Sequence, residues 1–329
     1  MNSNPCPCNN ASVEELARQA GAVAVGFAEA AAVDDATAEG FRRWLAAGCH
    51  GSMAYMERYI DLRLDPRLLV EGARTVISMA FPYAPVNGYH HPCISDYALG
   101  EDYHIVLRRR LQPVADAITA THGGQARICI DSAPVLERYW AVRAGVGFIG
   151  LNHQLIVPNM GAGIFLAEII TTAEFQPSQP CALTCQGCRR CLQACPGRAL
   201  TLTLTTPSLP LSTPSLTSNL DARRCVSYLT IEHRGDLPAD ANLGAMVYGC
   251  DVCRRVCPHS AGAPTPLPEF APRAEVMAHT RSTLAAITAG PFRRLAAGSA
   301  MSRISPAQLR RNATHRQSHA SNESFGKQS

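Results

Sequence analysis

The stretch CALTCQGCRRCLQACPGRAL, Cys181 to Leu200, places five cysteines within fifteen residues and a proline directly after the last. Inside it, Cys185-x2-Cys188-x2-Cys191-x3-Cys195-Pro196 is the bacterial ferredoxin run for a [4Fe–4S] cluster. The short gaps let three thiolates converge on one face of a cubane, while the fourth cysteine turns away to a second cluster. Partners for that second cluster follow as Cys225 and Cys250-x2-Cys253-x3-Cys257-Pro258. The predicted ligation is crossed: Cys185, Cys188, Cys191 and Cys257 hold cluster 1, and Cys195, Cys225, Cys250 and Cys253 hold cluster 2. The competing reading is structural zinc on two CxxC pairs. Two C-x3-C-P endings and eight matched ligands favour iron–sulfur. Cys181 is a rival ligand, while Cys6, Cys8, Cys49, Cys93 and Cys129 are expected in the core or in a mobile end.

Working outward, the chain has 329 residues, 14 of them cysteine, with 47% hydrophobic and 17% charged residues. That composition predicts a soluble globular protein of about two domains. The N-terminus MNSNPCPCNN has neither a basic region nor an apolar core, so a secretory signal and a disulfide framework are not expected. The most apolar stretch, GAGIFLAEIITTA, is broken by Glu168, so no membrane span is expected and the cytoplasm is the default location.

The net charge of +4 hides an asymmetry. Residues 181–329 carry 17 Lys and Arg against 8 Asp and Glu, and residues 1–180 carry 13 against 18. Every basic residue except Lys327 is an arginine, which suits bidentate phosphate contact and points to a nucleic-acid partner. The alternative is a solvated basic surface.

Along the chain, Ser12-Val-Glu-Glu15 reads as a capping box, and AVAVGFAEA and RTVISMAFPY read as strands. Asp102 to Thr119 has helical spacing with Pro113 as a kink or break. ARICIDS is a strand, Pro134 marks a helix start and Gly145 its end, and HQLIVP and GIFLAEIIT are two further strands. The alternation predicts an α/β (α+β) domain over residues 1–175. A two-cluster ferredoxin-like domain follows at 176–262, then a short helical C-terminal segment at 263–312 and a disordered tail at 313–329. Between the cysteine groups, Thr201 to Asn219 is Ser/Thr/Pro-rich and reads as an exposed loop or inserted hairpin. Asp131 ends an apolar strand, where ligands gather in open α/β folds. From the residues alone, Asp131 is either a candidate acid or, with Ser132, a cap for the following helix.

The residues flanking the cysteines carry a resemblance. ARRCVSYLTIEHRGDLP (222–238) and YGCDVCRRVCPHS (248–260) resemble the epoxyqueuosine reductase (QueG) family. So do the stretches from Gly51 to Pro85, from Tyr97 to Leu111 and from Asp131 to Ile156, and the match continues through PTPLPEFAPRAEV and FRRLAAGSAMSR. The family resemblance implies a cobalamin-binding domain similar to that of reductive dehalogenases. It implies reduction of epoxyqueuosine to queuosine at the tRNA wobble position, using cobalamin recharged by two [4Fe–4S] clusters. It implies Asp131 as the general acid, with Arg58, Tyr103, His104 and Asn152 as candidates for lining the cobalamin pocket. Implied partners are tRNA carrying epoxyqueuosine and an external low-potential donor of flavodoxin or ferredoxin type, with no membrane and a monomer as the working expectation. Candidate tRNA contacts are Arg223, Arg224, Arg293, Arg294, Arg310 and Arg311. The chain departs from the family pattern at Leu151, where a lysine is usual, and in the length of the 201–219 segment. The alternatives are another cobalamin iron–sulfur reductase of dehalogenase type, a ferredoxin-like electron carrier, or a tRNA-binding protein with structural clusters.

Overall fold

The computed structural model describes residues 9–83, 90–205, 215–260 and 265–315, with 203–205 and 215–217 described by backbone alone. The first part of the chain runs α1 (Asn10–Gln19), β1 (Ala24–Glu29), α2 (Asp35–Ala46), α3 (Ile60–Leu64), β2 (Thr75–Pro82), α4 (Tyr103–His122), β3 (Ala126–Cys129), α5 (Glu137–Arg143), β4 (Phe148–Ile149), β5 (Leu155–Ile156) and β6 (Ile164–Thr171). Strands β1, β2, β6 and β3 form one sheet in that order, and every pairing is antiparallel. All eight residues of β2 are buried, as expected for a central strand covered on both faces. Helices α1 and α4 close one face around Phe27, Met79, Leu111 and Ile169. Helix α5 closes the other through Trp140 and Ala141, against Val76 and Ile170. Gly26 makes that contact possible, because a Cβ there would stand 1.9 Å from the Ala144 carbonyl oxygen. Glu168, the acid in the apolar stretch, is fully buried at the sheet centre. It accepts from Ser78 Oγ at 3.2 Å, and burial raises its pKa well above the ordinary range.

The second part holds α6 (Arg190–Ala194), β7 (Leu200–Thr205), β8 (Ser215–Leu220), α7 (Val226–Ile231) and α8 (Val252–Arg255). The Thr201–Asn219 segment is a hairpin, with Leu200 opposite Leu220 and Thr205 opposite Ser215, and its tip lies outside the described residues. Its base is anchored: Trp44 Nε1 donates to the Leu220 carbonyl at 2.7 Å, and Ser218 Oγ donates to the Leu151 carbonyl at 2.7 Å. The C-terminal helices α9 (Ala274–Met277), α10 (Arg281–Ala285), α11 (Ala289–Ala296) and α12 (Pro306–Thr314) pack around Tyr248, whose hydroxyl donates to the Ala300 carbonyl at 2.6 Å.

Four local expectations change. Helix α4 continues through Pro113, because that residue lies on the exposed face, where water can satisfy the freed carbonyl. The first helix is capped by Asn9, which accepts from the Ala11 N–H, so Ser12 is inside the helix and not at its cap. Helix α5 starts at Glu137, three residues beyond Pro134, with no side-chain cap. The expected helical segment at 263–312 is broken up, and between α9 and α10 Thr280 forms a capping box that restarts the chain. Cys6, Cys8 and the tail beyond 315 lie outside the described residues.

Candidate active site and iron–sulfur centre

The cysteine turns meet through a glycine. A Cβ on Gly197 would stand 1.8 Å from the Arg224 carbonyl oxygen, so only glycine lets the Cys195 turn lie against the Cys225 turn. Helix α6 packs on α8 beside it. Burial raises the pKa values of Cys225, Cys250 and Cys253, and each of the three also feels Cys195. Burial likewise raises Cys191, which feels Cys185 and Cys257, while Cys257 in turn feels Cys185 and Cys188. The thiols therefore fall into two neighbourhoods: 185, 188, 191 and 257, and 195, 225, 250 and 253. Leu151 packs where the two meet, against Cys185, Cys191, Cys195 and Cys253. A cavity of about 20 Å³ lies among Cys185, Cys188, Cys191 and Cys257. Among the described residues, no three His, Cys, Asp or Glu close around a single-ion site. Eight cysteine thiolates in two groups of four are the donor set that two [4Fe–4S] cubanes need, so the residues fit iron–sulfur.

A second cavity, of about 1150 Å³, opens between the sheet domain and the cluster module. It is larger than the ~300–1,000 Å³ of ordinary ligand pockets. Apolar side chains of Phe41, Trp44, Met53 and Met56 line one part, and Arg58, Arg63, Arg138 and Arg303 line another. A large flat macrocycle fringed with amides and a phosphate suits that mixture, so the residues fit cobalamin.

Asp131 stands at the wall of this cavity. The chain leaves β3, turns left-handed at Asp131 with φ +50°, and enters α5 six residues later. Asp131 Oδ2 accepts from the Tyr103 hydroxyl at 2.9 Å and faces His104 Nε2 at 3.3 Å. His104 Nδ1 lies 2.7 Å from Asp102 Oδ1. The Tyr103 ring stacks between Phe165 and His104, at centroid separations of 4.3 and 4.0 Å, which fixes the pair. The backbone N–H of Asp131 donates to Glu137 Oε1. Neither Asp131 nor Ser132 caps α5, whose first residue is Glu137 and whose preceding residue makes no side-chain cap.

The electrostatics assign the protons differently from the expectation that Asp131 is itself the acid. Desolvation does push Asp131 upward. The hydrogen bonds from His104 and Tyr103 and the charge of His104 together outweigh it, and its pKa ends below the usual range. Burial, reinforced by the Asp131 charge, pushes Glu137 up to about 8. Burial would lower His104, but its bonds to Asp102 and Asp131 raise it to about 9. At neutral pH the cluster is a carboxylate at Asp131 flanked by an imidazolium and a carboxylic acid.

Of the other predicted residues, Arg58 lines the large cavity, and Tyr103 and His104 meet it through Asp131. Asn152 does not: it is buried beside the cysteines and donates to the Cys253 carbonyl at 3.3 Å. The polar turn after Ile149 folds towards the cluster module, and spacing alone could not reveal that. Among the candidate tRNA contacts, Arg293 and Arg294 are exposed and make no ion pair among the described residues. Arg223 forms a two-pronged pair with Asp221 at 2.8 and 2.9 Å. Arg224 donates to the Gly197 carbonyl and Arg310 to the Ile287 carbonyl. Arg311 donates to the carbonyls of Leu229 and His233 inside the molecule, so it is a structural tie and not a surface contact. Arg254 and Arg255, which flank cluster ligands, are bound to Asp96 and Asp251 in a buried network. From sequence, Glu137 and Arg138 read as structural residues of the helix after Asp131, and Arg303 drew no attention. Glu137 and Arg138 lay in the same family-like block as Asp131, but Arg303 reaches the cavity from a distant segment with no local signal.

Two family models match the chain: "Epoxyqueuosine reductase QueG, DUF1730" over residues 63–132 and "4Fe-4S double cluster binding domain" over residues 184–260. An epoxyqueuosine reductase of Gloeobacter violaceus is 38% identical over 316 residues, covering 92% of this chain and 94% of the relative. The chain belongs to the epoxyqueuosine reductase family. Another epoxyqueuosine reductase, from Xanthomonas campestris, is 34% identical and covers 94% of this chain and 87% of its own. A crystal structure of an epoxyqueuosine reductase with an epoxyqueuosine-modified tRNA-Tyr stem loop superposes with a TM-score of 0.78 at 28% identity, covering 92% of this chain and 79% of that one. A Bacillus subtilis epoxyqueuosine reductase, described with its aspartate catalytic loop swung out of the active site, matches with a TM-score of 0.77 at 27% identity, with the same coverage. The reductase-family match contains Arg63, Tyr103, His104 and Asp131, and the double-cluster match contains all eight paired cysteines. Two [4Fe–4S] clusters are thus cofactors of this chain. Among the described residues, no helix is long and apolar enough to cross a membrane.

Proposed function

We propose that this protein reduces epoxyqueuosine to queuosine in tRNA, with the reacting ring placed in the large cavity at Asp131. One observation carries the reading: a carboxylate flanked by two protonated groups lines an about 1150 Å³ cavity in a two-cluster member of the reductase family. Converting an epoxide to an alkene consumes two electrons and two protons and releases water. Bound cobalamin would supply the strong nucleophile that opens the ring, and the clusters supply electrons singly. The apolar wall at Trp44 and Met56 would hold its macrocycle, and Arg58 and Arg138 its polar fringe.

The chain's own residues manage the protons. His104 Nε2 faces Asp131 Oδ2, and the Tyr103 hydroxyl fixes that oxygen's direction. Asp131 takes a proton from this side and passes it to the leaving oxygen. Glu137, which keeps its proton to about pH 8, holds the second. A protonated donor in such a place contributes about 10²–10⁴-fold. The crossed ligation, Cys185, Cys188, Cys191 and Cys257 against Cys195, Cys225, Cys250 and Cys253, follows the two thiol neighbourhoods. Arg293 and Arg294 are the proposed phosphate contacts, an external low-potential carrier is the proposed reductant, and the cytoplasm the proposed location. The working division is a catalytic domain to residue 175, a cluster domain to 262 and helices beyond. An electron carrier alone would leave the cavity and its acids without a role.

The test is anaerobic incubation of cobalamin- and cluster-loaded protein with an epoxyqueuosine-bearing stem loop. Mass spectrometry should find the nucleoside short of one oxygen. Unchanged nucleoside, with clusters that bleach and recover normally, would overturn the reading.

A further inference from the structure

We infer that the exposed edge of cluster 1 is the docking face for a small acidic protein carrying one electron at a time, with Arg189 and Arg190 as its charged contacts and Leu183 as its apolar one.

The two cysteine neighbourhoods are not equivalent. Cys225 and Cys250 pack against the same buried cluster, around Ala222 and Val226, as Trp44 and Met53, and those two side chains also line the large cavity. Cluster 2 therefore sits on the cavity side. In the other neighbourhood Cys188 is the one exposed thiol of the eight. Cys191 and Cys253 meet around Leu151, which joins the two neighbourhoods. The order from solvent inward is cluster 1, cluster 2, cavity. Electrons for the cavity enter where the metal comes nearest to water, at Cys188.

The surface around Cys188 has a definite chemistry. From residue 175 to 220 the sequence contains Arg189, Arg190 and Arg198 and no Asp or Glu. Arg189 and Arg190 are exposed, and among the described residues neither makes an ion pair. They contrast with Arg254 and Arg255, whose charges are closed by Asp96 and Asp251. Beside them Leu183, at 48% one of the few large apolar side chains open to solvent, precedes Cys185 by two residues. An exposed leucine among exposed arginines at a metal edge complements an acidic carrier, and unlike charges across such a face mainly set the encounter rate.

The electron count fits. Each docking oxidises the carrier by one electron and reduces cluster 1 by one, and two dockings match the two electrons one epoxide consumes. The inference uses the two-cluster cofactor set and not the epoxide chemistry. Its test contains no substrate, so its failure would leave the proposed reaction standing.

The experiment is stopped-flow bleaching of the cluster-loaded full chain by an acidic flavodoxin hydroquinone. Arg189→Glu/Arg190→Glu should slow bleaching at low salt by about 10-fold or more and abolish its salt dependence. Photoreduction by free deazaflavin should proceed at the wild-type rate, and affinity for a tRNA stem loop should not change. Arg189→Gln/Arg190→Gln should give a smaller loss in the same direction, and this holds the test open if charge reversal impairs cluster loading. An unchanged flavodoxin rate in the glutamine variant overturns the inference. Equal slowing with deazaflavin overturns it too, because the arginines then serve the cluster. Loss of stem-loop affinity assigns the face to RNA and also overturns it.

Discussion

The backbone N–H of Asp131 donates to the Glu137 carboxyl, which sets two acids side by side on one wall of the large cavity. Burial, with the Asp131 charge beside it, keeps the proton on Glu137. Raising the pH through about 8 removes that proton, so kcat/KM for the stem loop should fall there. Glu137→Gln should lower turnover by about 10²-fold and flatten that limb. A variant that retains the limb would assign it to another group.

The same shift affects stability. A carboxyl raised from 4.5 to about 8 by folding contributes stability that is present below its unfolded value and lost as pH rises through its folded value. His104, raised from 6.5 to about 9, acts in the same direction at higher pH. Thermal midpoints should therefore decline from about pH 5 to 9, and Glu137→Gln should decline less. A midpoint that rises over that range would contradict the assignment.

Asp131→Asn should fold, because asparagine tolerates the left-handed backbone that Asp131 adopts at φ +50°. It should retain clusters and cobalamin while losing most turnover. Asp131→Ala should lose turnover and also about 1–2 kcal/mol, for backbone reasons and not through any lost helix cap. Equal melting of the two variants would remove the backbone argument.

Arg254 ties a cluster-bearing helix to the N-terminal part of the chain through Asp96 and braces Asp251 at that helix's own start, both carboxylates nearly inaccessible. Removing it leaves Arg255 as their remaining guanidinium partner, and Arg254→Ala should cost about 1–3 kcal/mol. Denaturant unfolding checks this, and iron content should fall with the stability.

For tRNA, Arg293→Glu/Arg294→Glu should weaken binding and reduce the salt slope by about 2. Arg311→Ala should lower stability and leave that slope unchanged, because its donors are engaged with carbonyls inside the fold. Salt-dependent filter binding separates the two cases.

The cluster module was the most legible part of the sequence, because its cysteines come largely in two short runs, 185–195 and 250–257, each closed by a proline. The strands were also legible, but their direction was not. Alternating strands and helices are compatible with parallel or antiparallel pairing, and β1, β2, β6 and β3 pair antiparallel. Asp131 therefore owes its position to a left-handed turn and not to the carboxyl end of a parallel strand. Glu137 could not be read as an acid, since its shift comes from burial and from Asp131, both products of tertiary packing. The arginines looked alike in sequence, and only the structure separates exposed Arg293 from internally bonded Arg311.

The crossed ligation also bears on synthesis. Cys185, Cys188 and Cys191 leave the ribosome well before Cys257, and Cys195 before Cys250 and Cys253. On this pairing a nascent chain cannot complete cluster 2 until Cys253 has emerged, nor cluster 1 until Cys257 has. Until then the earlier thiols stand open to oxidation or to stray metal. Since metal binding and folding are coupled, the sheet domain should mature first and wait for its inorganic half. Iron shortage should then leave chains folded at the N-terminal side, open at the cysteines and vulnerable to proteases in the region between.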